Sequence, residues 1–315
     1  MKSQATTQLI ISEPKRVSTF VLKKFAPGLF VLLWSTGFIG AKYGVPYAPP
    51  FYFLAIRMAI AALLLFIAIS FLRKSQPITR AIIWPSTMIG LTLHGAYLGG
   101  CFFAVSRGMP AGVAALIVSL QPVLVSLFAA KYLNEPLNAR AVIGLILGLI
   151  GLFVVVLPRI SMTGTNAISF VAIGASVIGL LGGTSGTILQ KKYGGEIPTL
   201  AGTSIQYAAT AVALLTLALI FENPEIQWTA KFIGALTWLV LALSFGAILL
   251  LFFLLSHGSA ASVSSLYYLV PAVTAIQAYF FFDEHISPVS LLGTLITVVG
   301  VWLVVSKQKE TPAAN

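Results

Sequence analysis

The chain has 315 residues, 58% of them hydrophobic and 9% charged, with a mean hydropathy of +0.97 and a formal net charge of +11. A water-soluble domain carries about 25% charged and about 45–50% apolar residues, so soluble enzymes and nucleic-acid-binding domains are excluded. The positive excess reads instead as cytoplasmic loops facing anionic lipid.

In chain order, residues 1–24 carry Glu13, Lys15, Arg16, Lys23 and Lys24 and lack an apolar core. They read as a mobile cytoplasmic tail, not a cleavable signal peptide. Ten apolar spans follow. The first five are Phe25–Tyr43, Phe51–Leu72, Ile82–Val105, Ala111–Leu133 and Arg140–Leu157. Past a linker at 158–166 come Ala167–Gln190, Leu200–Phe221, Phe232–Ser256, Ser259–Phe282 and Pro288–Val305. Each is close to the roughly 20 residues that a spanning helix needs. None alternates with period two over about ten residues, as a barrel strand would. The breakers sit in the connections, among them Pro46, Pro49-Pro50, Gly108 to Pro110, Asn134 to Pro136 and Pro198, and residues 307–315 read as a second cytoplasmic tail. Cys101 is the single cysteine and lies in an apolar run, so no intrachain disulfide forms and a small buried hydrophobe is expected. The fold class is all-α and integral to the membrane.

Orientation follows from Lys and Arg. With the N-terminus inside, cytoplasmic pieces hold 14 of them, outer pieces hold four (Lys42, Arg107, Arg159 and Lys231), and Arg57 lies within the second span. That bias predicts N-in and C-in. The halves also echo each other 150 residues apart: Lys42-Tyr43-Gly44 as Lys192-Tyr193-Gly194, Phe102-Phe103 as Phe252-Phe253, and Arg107-Gly108 as His257-Gly258. After a one-residue adjustment Pro122 matches Pro271, Asn134-Glu135 matches Asp283-Glu284, and Gly144 and Gly151 match Gly293 and Gly300. Five spans is an odd number, so residues 25–157 and 167–306 are expected to insert as inverted repeats, the hallmark of secondary transporters with a site near the midplane.

Trp34-Ser35 in the first span, Leu54-Ala55-Ile56-Arg57 in the second, and the stretch from Pro122 to Asn134-Glu135 closing the fourth resemble the EamA family of the drug/metabolite transporter superfamily. The resemblance covers nearly all of residues 26–306. It implies a bacterial inner-membrane exporter of amino acids or other small metabolites. It also implies a central cavity lined by spans 1, 3, 4, 6, 8 and 9, with 2 and 7 further out and 5 and 10 at the periphery.

Three histidines, one cysteine and eight acids form no catalytic cluster, so no enzyme activity, cofactor or metal site is expected. Asp283-Glu284-His285 reads as a solvated loop cap. Ionisable groups inside a bilayer are functional candidates. Arg57, whose repeat mate is Gln206, can grip a substrate carboxylate or act as a structural clamp; the resemblance, which puts its span outside the cavity, favours the clamp. His94, mid-span, shares a helix face with Tyr97 and Cys101, and its mate Ser244 is also polar and mid-span. It serves either a polar lumen or an interhelical hydrogen bond. Ser119, Gln121, Tyr267, Tyr268 and Gln277 surround the kinks expected at Pro122 and Pro271, and Trp34 and Ser35 align with Thr184 and Ser185. Glu135 and Glu284 occupy matched helix ends, each before a new helix N-capped by Asn138 or Ser287, as structural caps or gating groups. Gly144, Gly148 and Gly151 permit close packing, within the monomer or at a dimer seam.

The expected function is export of a small polar metabolite, an amino acid or relative, by alternating access around His94, Tyr97, Gln121, Tyr267 and Ser244. The partners are that substrate and the lipid bilayer, without nucleic acid, as monomer or homodimer. The rival readings are a nucleotide-sugar or phosphorylated-metabolite exchanger, which needs more midspan cations than Arg57, and a non-transporting scaffold. No carboxylate lies mid-span, and His94 is the one midspan group that ordinarily titrates near neutrality. Transport is therefore expected to run down the metabolite gradient or to couple weakly through His94.

Overall fold

In a bilayer core no water is present to satisfy backbone N–H and C=O groups, so an apolar run of this length has to close its hydrogen bonds within itself as a helix. The computed structural model describes residues 15–71, 78–132, 139–160, 168–257, 263, 265–284 and 287–305. Its first half comprises α1 (Lys15–Gly44), α2 (Pro50–Phe71), α3 (Arg80–Ser106), α4 (broken into Ala111–Val118 and Gln121–Tyr132) and α5 (Ala139–Ile160). The second half comprises α6 (Phe170–Tyr193), α7 (Thr199–Phe221), α8 (Ala230–His257), α9 (Leu269–Phe282, entered through a 3-10 turn at Ser265–Tyr268) and α10 (Pro288–Val305). Among the described residues, the helical stretches Phe25–Gly44, Pro50–Phe71, Arg80–Ser106, Phe170–Tyr193, Thr199–Phe221 and Ala230–His257 are long and apolar enough to cross a membrane. Phe66, Phe153, Ile178, Leu219, Leu292 and Trp302 are exposed, whereas Ser35, Arg57, His94, Gln121 and Thr184 are buried. Apolar groups outside and polar groups inside suit a lipid solvent.

Three boundaries differ from the sequence reading. The first apolar span does begin at Phe25, but its helix α1 runs back to Lys15, because nothing between Lys15 and Ala26 breaks a helix and Pro27 is carried inside it. The fourth span is not continuous: it turns at Ser119-Leu120, and Pro122 becomes the second residue of a new helical piece. Pro271 likewise sits in the first turn of α9. At a helix start the missing proline N–H has no intrahelical acceptor to lose, so both prolines initiate helices rather than kinking the middle of one.

The packing is symmetric under exchange of the halves. α5 lies on α10, α2 on α7, and the first piece of α4 on α9, each a helix with its own mate. α3 on α6 corresponds to α8 on α1, and α3 on α7 to α8 on α2. Small residues set the closest approaches. A Cβ built on Gly300 would collide with the backbone of Gly148 and Gly144, and one on Gly293 would lie 2.7 Å from the Gly151 carbonyl. The Gly144, Gly148 and Gly151 stripe is therefore spent within the monomer on α10. On α6, a Cβ at Gly186 would lie 2.6–2.7 Å from Leu93, and one at Gly182 would lie 2.8 Å from the Tyr97 nitrogen. α6 is thus the close backing of the stretch of α3 that bears His94 and Tyr97.

Candidate functional site

α3 and α8 each leave α-helical geometry at their centres. Gly90–Ala96 and Leu239–Ala247 are π-helical, wide turns inserted at positions that match across the repeat. Such turns splay side chains away from the regular helical ladder and recur at functional sites. His94 lies in the first segment and Ser244 in the second.

Four polar side chains then pair across the halves. Arg57 of α2 donates Nε–H to Ser244 Oγ at 3.1 Å. Its mate Gln206 of α7 meets His94 Nε2 through Oε1, also at 3.1 Å. Exchanging the repeats turns one pair into the other. Tyr207 joins them: its hydroxyl donates to the Ser244 carbonyl at 2.5 Å, and its ring packs edge-on to His94 with centroids 4.8 Å apart. Gln206 Nε2 continues the chain to Gln190 Oε1 at 3.2 Å. Arg57 and His94 are 3% and 1% exposed, so neither reaches water at a membrane surface. The resemblance-based placement of the second helix outside the cavity is corrected for this side chain. Arg57 is long enough to cross from α2 into the centre.

An aromatic wall adjoins the polar chain. Trp34 Nε1 donates to the Tyr97 hydroxyl at 3.1 Å, the two rings stack at 6.2 Å, and Tyr267 stands edge-on to Trp34 at 5.4 Å. Trp34, Arg57, His94, Tyr97 and Cys101, with Phe38, Phe102 and Leu243, line a cavity of about 40 Å³. That is room for a few waters, against about 300–1,000 Å³ for an organic ligand pocket. The site is closed down in this conformation. A larger cleft of about 1280 Å³ between α3, α6 and α7 touches none of the predicted site residues and has largely apolar walls, such as Leu91, Ile178, Ala213 and Leu217. The smaller cavity is the candidate site because the polar network converges there.

The other predicted residues divide. Gln121 donates Nε2–H to Thr187 Oγ1 at 2.8 Å, and Gly183 leaves the space its carbonyl end occupies. Ser35, Ser119 and Thr184 each return their hydroxyl to a carbonyl of their own helix at 2.7 Å. They are buried but offer their protons to backbone. On the approach to α9 and along it, Tyr268 Oη, Thr274 Oγ1 and Gln277 Oε1 are buried without a hydrogen-bond partner among the described residues. Glu135, Asn134, Asn138 and His285 lie outside the described residues.

The N-cap of α10 is Ser287, as the sequence suggests, and Glu284 has another role. Ser287 accepts from the Ser290 N–H at 3.1 Å, while Glu284 pairs with Lys42 and ties the end of α9 to the end of α1. The Lys42 ammonium also lies 4.4 Å over the Phe282 ring. At the mouth of the larger cleft, half-buried Glu222 accepts the backbone N–H groups of Phe51 at 2.9 Å and Tyr52 at 3.0 Å. Burial pushes its carboxyl above the usual carboxylate range, and the two N–H donors hold the rise back.

Residues 28–157 and 166–306 each match the EamA-like transporter family. Among relatives, the chain is 30% identical to the uncharacterized transporter YvbV of Bacillus subtilis (strain 168), covering 90% of this chain and 92% of that one. It is 27% identical to a probable amino-acid metabolite efflux pump of Salmonella typhimurium (87% and 92% covered) and 24% identical to Protein PecM of Dickeya dadantii (89% and 93%). A solved crystal structure at 19% identity superposes with a TM-score of 0.64 over 91% of this chain and 98% of its own, a likeness of fold.

Proposed function

Because the chain belongs to the EamA-like transporter family and is a multi-pass membrane transporter, we propose that it exports a small polar metabolite, an amino acid or a related compound, across the bacterial inner membrane by alternating access. In this reading ten spans form two inverted repeats, residues 25–157 and 167–306, with both termini cytoplasmic. The observation that carries it is the exchange of Arg57–Ser244 for Gln206–His94 under the repeat, centred on matched π-helical turns. A twofold-related pair of contacts is what a rocking motion between halves needs, since each state can relax one and keep the other. The relative named as an amino-acid metabolite efflux pump supports the substrate class.

Within the site, Trp34, Tyr97 and Tyr267 would bound the apolar part of the substrate, while His94, Gln121 and Ser244 would meet its polar groups. The Tyr268, Thr274 and Gln277 atoms without a partner among the described residues mark a route past α9, where a passing polar solute supplies hydrogen bonds. Lys42–Glu284 closes the Gly44 end of α1, the outer face in this topology. His94 acts as a hydrogen-bonding selectivity group, and flux runs down the metabolite gradient. A phosphorylated-metabolite exchanger is disfavoured because, among the described residues, Arg57 is the one Lys or Arg lining the cavity.

The test is flux into proteoliposomes for a panel of amino acids, their carboxylate relatives that lack the ammonium, nucleosides and sugar phosphates. Saturable flux of at least one amino-acid-like compound is expected; binding without flux would defeat the transporter reading. Cysteines placed at Arg73 and Arg107, in a Cys101→Ala background, should label from opposite sides, and labelling from the same side would refute the topology. His94→Gln with an imposed pH gradient checks coupling. Gradient-driven accumulation in the parent that is lost in the variant would assign proton coupling to His94.

A further inference from the structure

α2 carries one charged side chain into the membrane interior, and no acid among the described residues pairs with it there. Arg57 is 3% exposed, lines the cavity, and makes one hydrogen bond among the described residues, from Nε to Ser244. A guanidinium has five N–H donors, so most of the fork stays uncommitted. The one ion pair among the described residues joins Lys42 and Glu284, and all eight acids of the sequence lie in tails, loops or at span ends. A charge removed from water without a counter-charge is strongly disfavoured, and an intramembrane cation is kept where function supplies its partner.

The surroundings narrow that partner. Trp34, Phe38, Tyr97, Phe102 and Leu243 give the cavity an aromatic and apolar wall, and its imidazole, His94, is bonded to Gln206. Resting on the exporter reading above, we propose that Arg57 anchors a substrate carboxylate, and that the preferred substrate is an organic monocarboxylate with an aromatic or apolar body and no free ammonium. The guanidinium fork matches a carboxylate bidentately, which a lysine would not. One such anion leaves the site neutral. A zwitterionic amino acid brings an ammonium for which the cavity holds no carboxylate, and an amine finds only repulsion at Arg57. A sugar phosphate dianion would need a second cation.

Three probes on one skeleton separate these cases: 3-phenylpropionate, phenylalanine and phenethylamine. Binding of each is measured by calorimetry to the full-length chain in lipid nanodiscs, which avoids leakage of the weak acid through a bilayer. The parent is expected to bind 3-phenylpropionate about tenfold or more tighter than phenylalanine, with phenethylamine undetected. Arg57→Gln should lose about 10- to 100-fold in affinity for 3-phenylpropionate, and Arg57→Lys should fall between the two. If Arg57→Gln does not run as a monodisperse species, Arg57→Lys and the three-probe ranking on the parent carry the test. Equal or tighter binding of phenylalanine or phenethylamine overturns the carboxylate anchor but leaves the exporter reading standing. So does unchanged affinity in a folded Arg57→Gln, or sodium chloride displacing 3-phenylpropionate at equal concentration. Failure of all three probes overturns the anchor as well; only a silent flux panel would also bring down the exporter reading.

Discussion

Gly186 lets α6 hold α3, and with it His94, in place. A Cβ at this position would sit 2.6 Å from the Leu93 Cβ and 2.7 Å from its Cα and N. Ordinary carbon contacts lie at about 3.5–4.0 Å, so Gly186→Ala requires the helices to part by roughly 1 Å. Backbone cannot yield as a flexible side-chain end does, and overpacking of this kind costs about 1–3 kcal/mol. Alanine opposes that loss, since it is up to about 1 kcal/mol better than glycine within a helix. Gly174 of the same helix supplies the control, because a Cβ there meets nothing within 4 Å. Gly174→Ala therefore carries the propensity gain alone, and the difference between the two variants isolates the packing loss at about 1–3 kcal/mol. Unfolding by denaturant titration in mixed micelles reads that difference directly. Gly186→Ala as stable as Gly174→Ala would refute the claimed backbone contact between α6 and α3.

A double-mutant cycle of His94→Leu and Gln206→Leu should give a coupling of about 1 kcal/mol in unfolding, with each single change costing more than the pair implies, since it leaves a buried polar group unmatched; additive effects would deny the 3.1 Å bond. Glu284→Gln should change stability by less than about 1 kcal/mol, because Lys42 and Glu284 side chains are 30% and 21% exposed. It should nonetheless raise the modification rate of a cysteine placed at Tyr43, and an unchanged rate would show that the pair closes nothing. For Glu222 the folded carboxyl titrates above its ordinary 4.5. The folded state therefore binds the proton more readily than the unfolded, and stability falls as pH rises from that ordinary value through the raised one. Melting temperatures across that window should decline for the parent relative to Glu222→Gln; a parent that gains on the variant with rising pH would reverse the sign.

Membrane helices are legible in a sequence because hydrocarbon demands long apolar runs, and the repeat is legible because matched helices share a chain direction relative to their packing partners. His94 and Ser244 were recognisable as mates for that reason. Their partners were within reach of the same reasoning. Arg57 and Gln206 stand 149 positions apart and Arg57 and Tyr207 stand 150, so the repeat that matched the midspan polar residues also pointed to the helices bonding them. Thr187 and Gln190 gave no such signal, since a hydroxyl or amide on a helix reads alike whether it meets a neighbour or its own backbone. Gly179, Gly182 and Gly186 carried the small-residue spacing that was read at Gly144 to Gly151, and the same rule applied to α6 would have found the α3 contact. The π-helical turns left no trace in the sequence: Gly90–Ala96 and Leu239–Ala247 share no residue pattern that propensity would flag. The family resemblance misplaced Arg57 because it assigned a whole helix to the periphery, whereas a long side chain can reach the centre from there.

The central claim is that one cavity between the halves is reached in turn from both sides of the membrane. Cys101 lines that cavity and is the chain's single cysteine, so the parent protein already carries the reporter. A membrane-impermeant methanethiosulfonate reagent is applied to right-side-out and to inside-out vesicles, with Cys101→Ala as the blank. Alternating access predicts slow modification from both faces; modification from one face alone, or from neither, would contradict it.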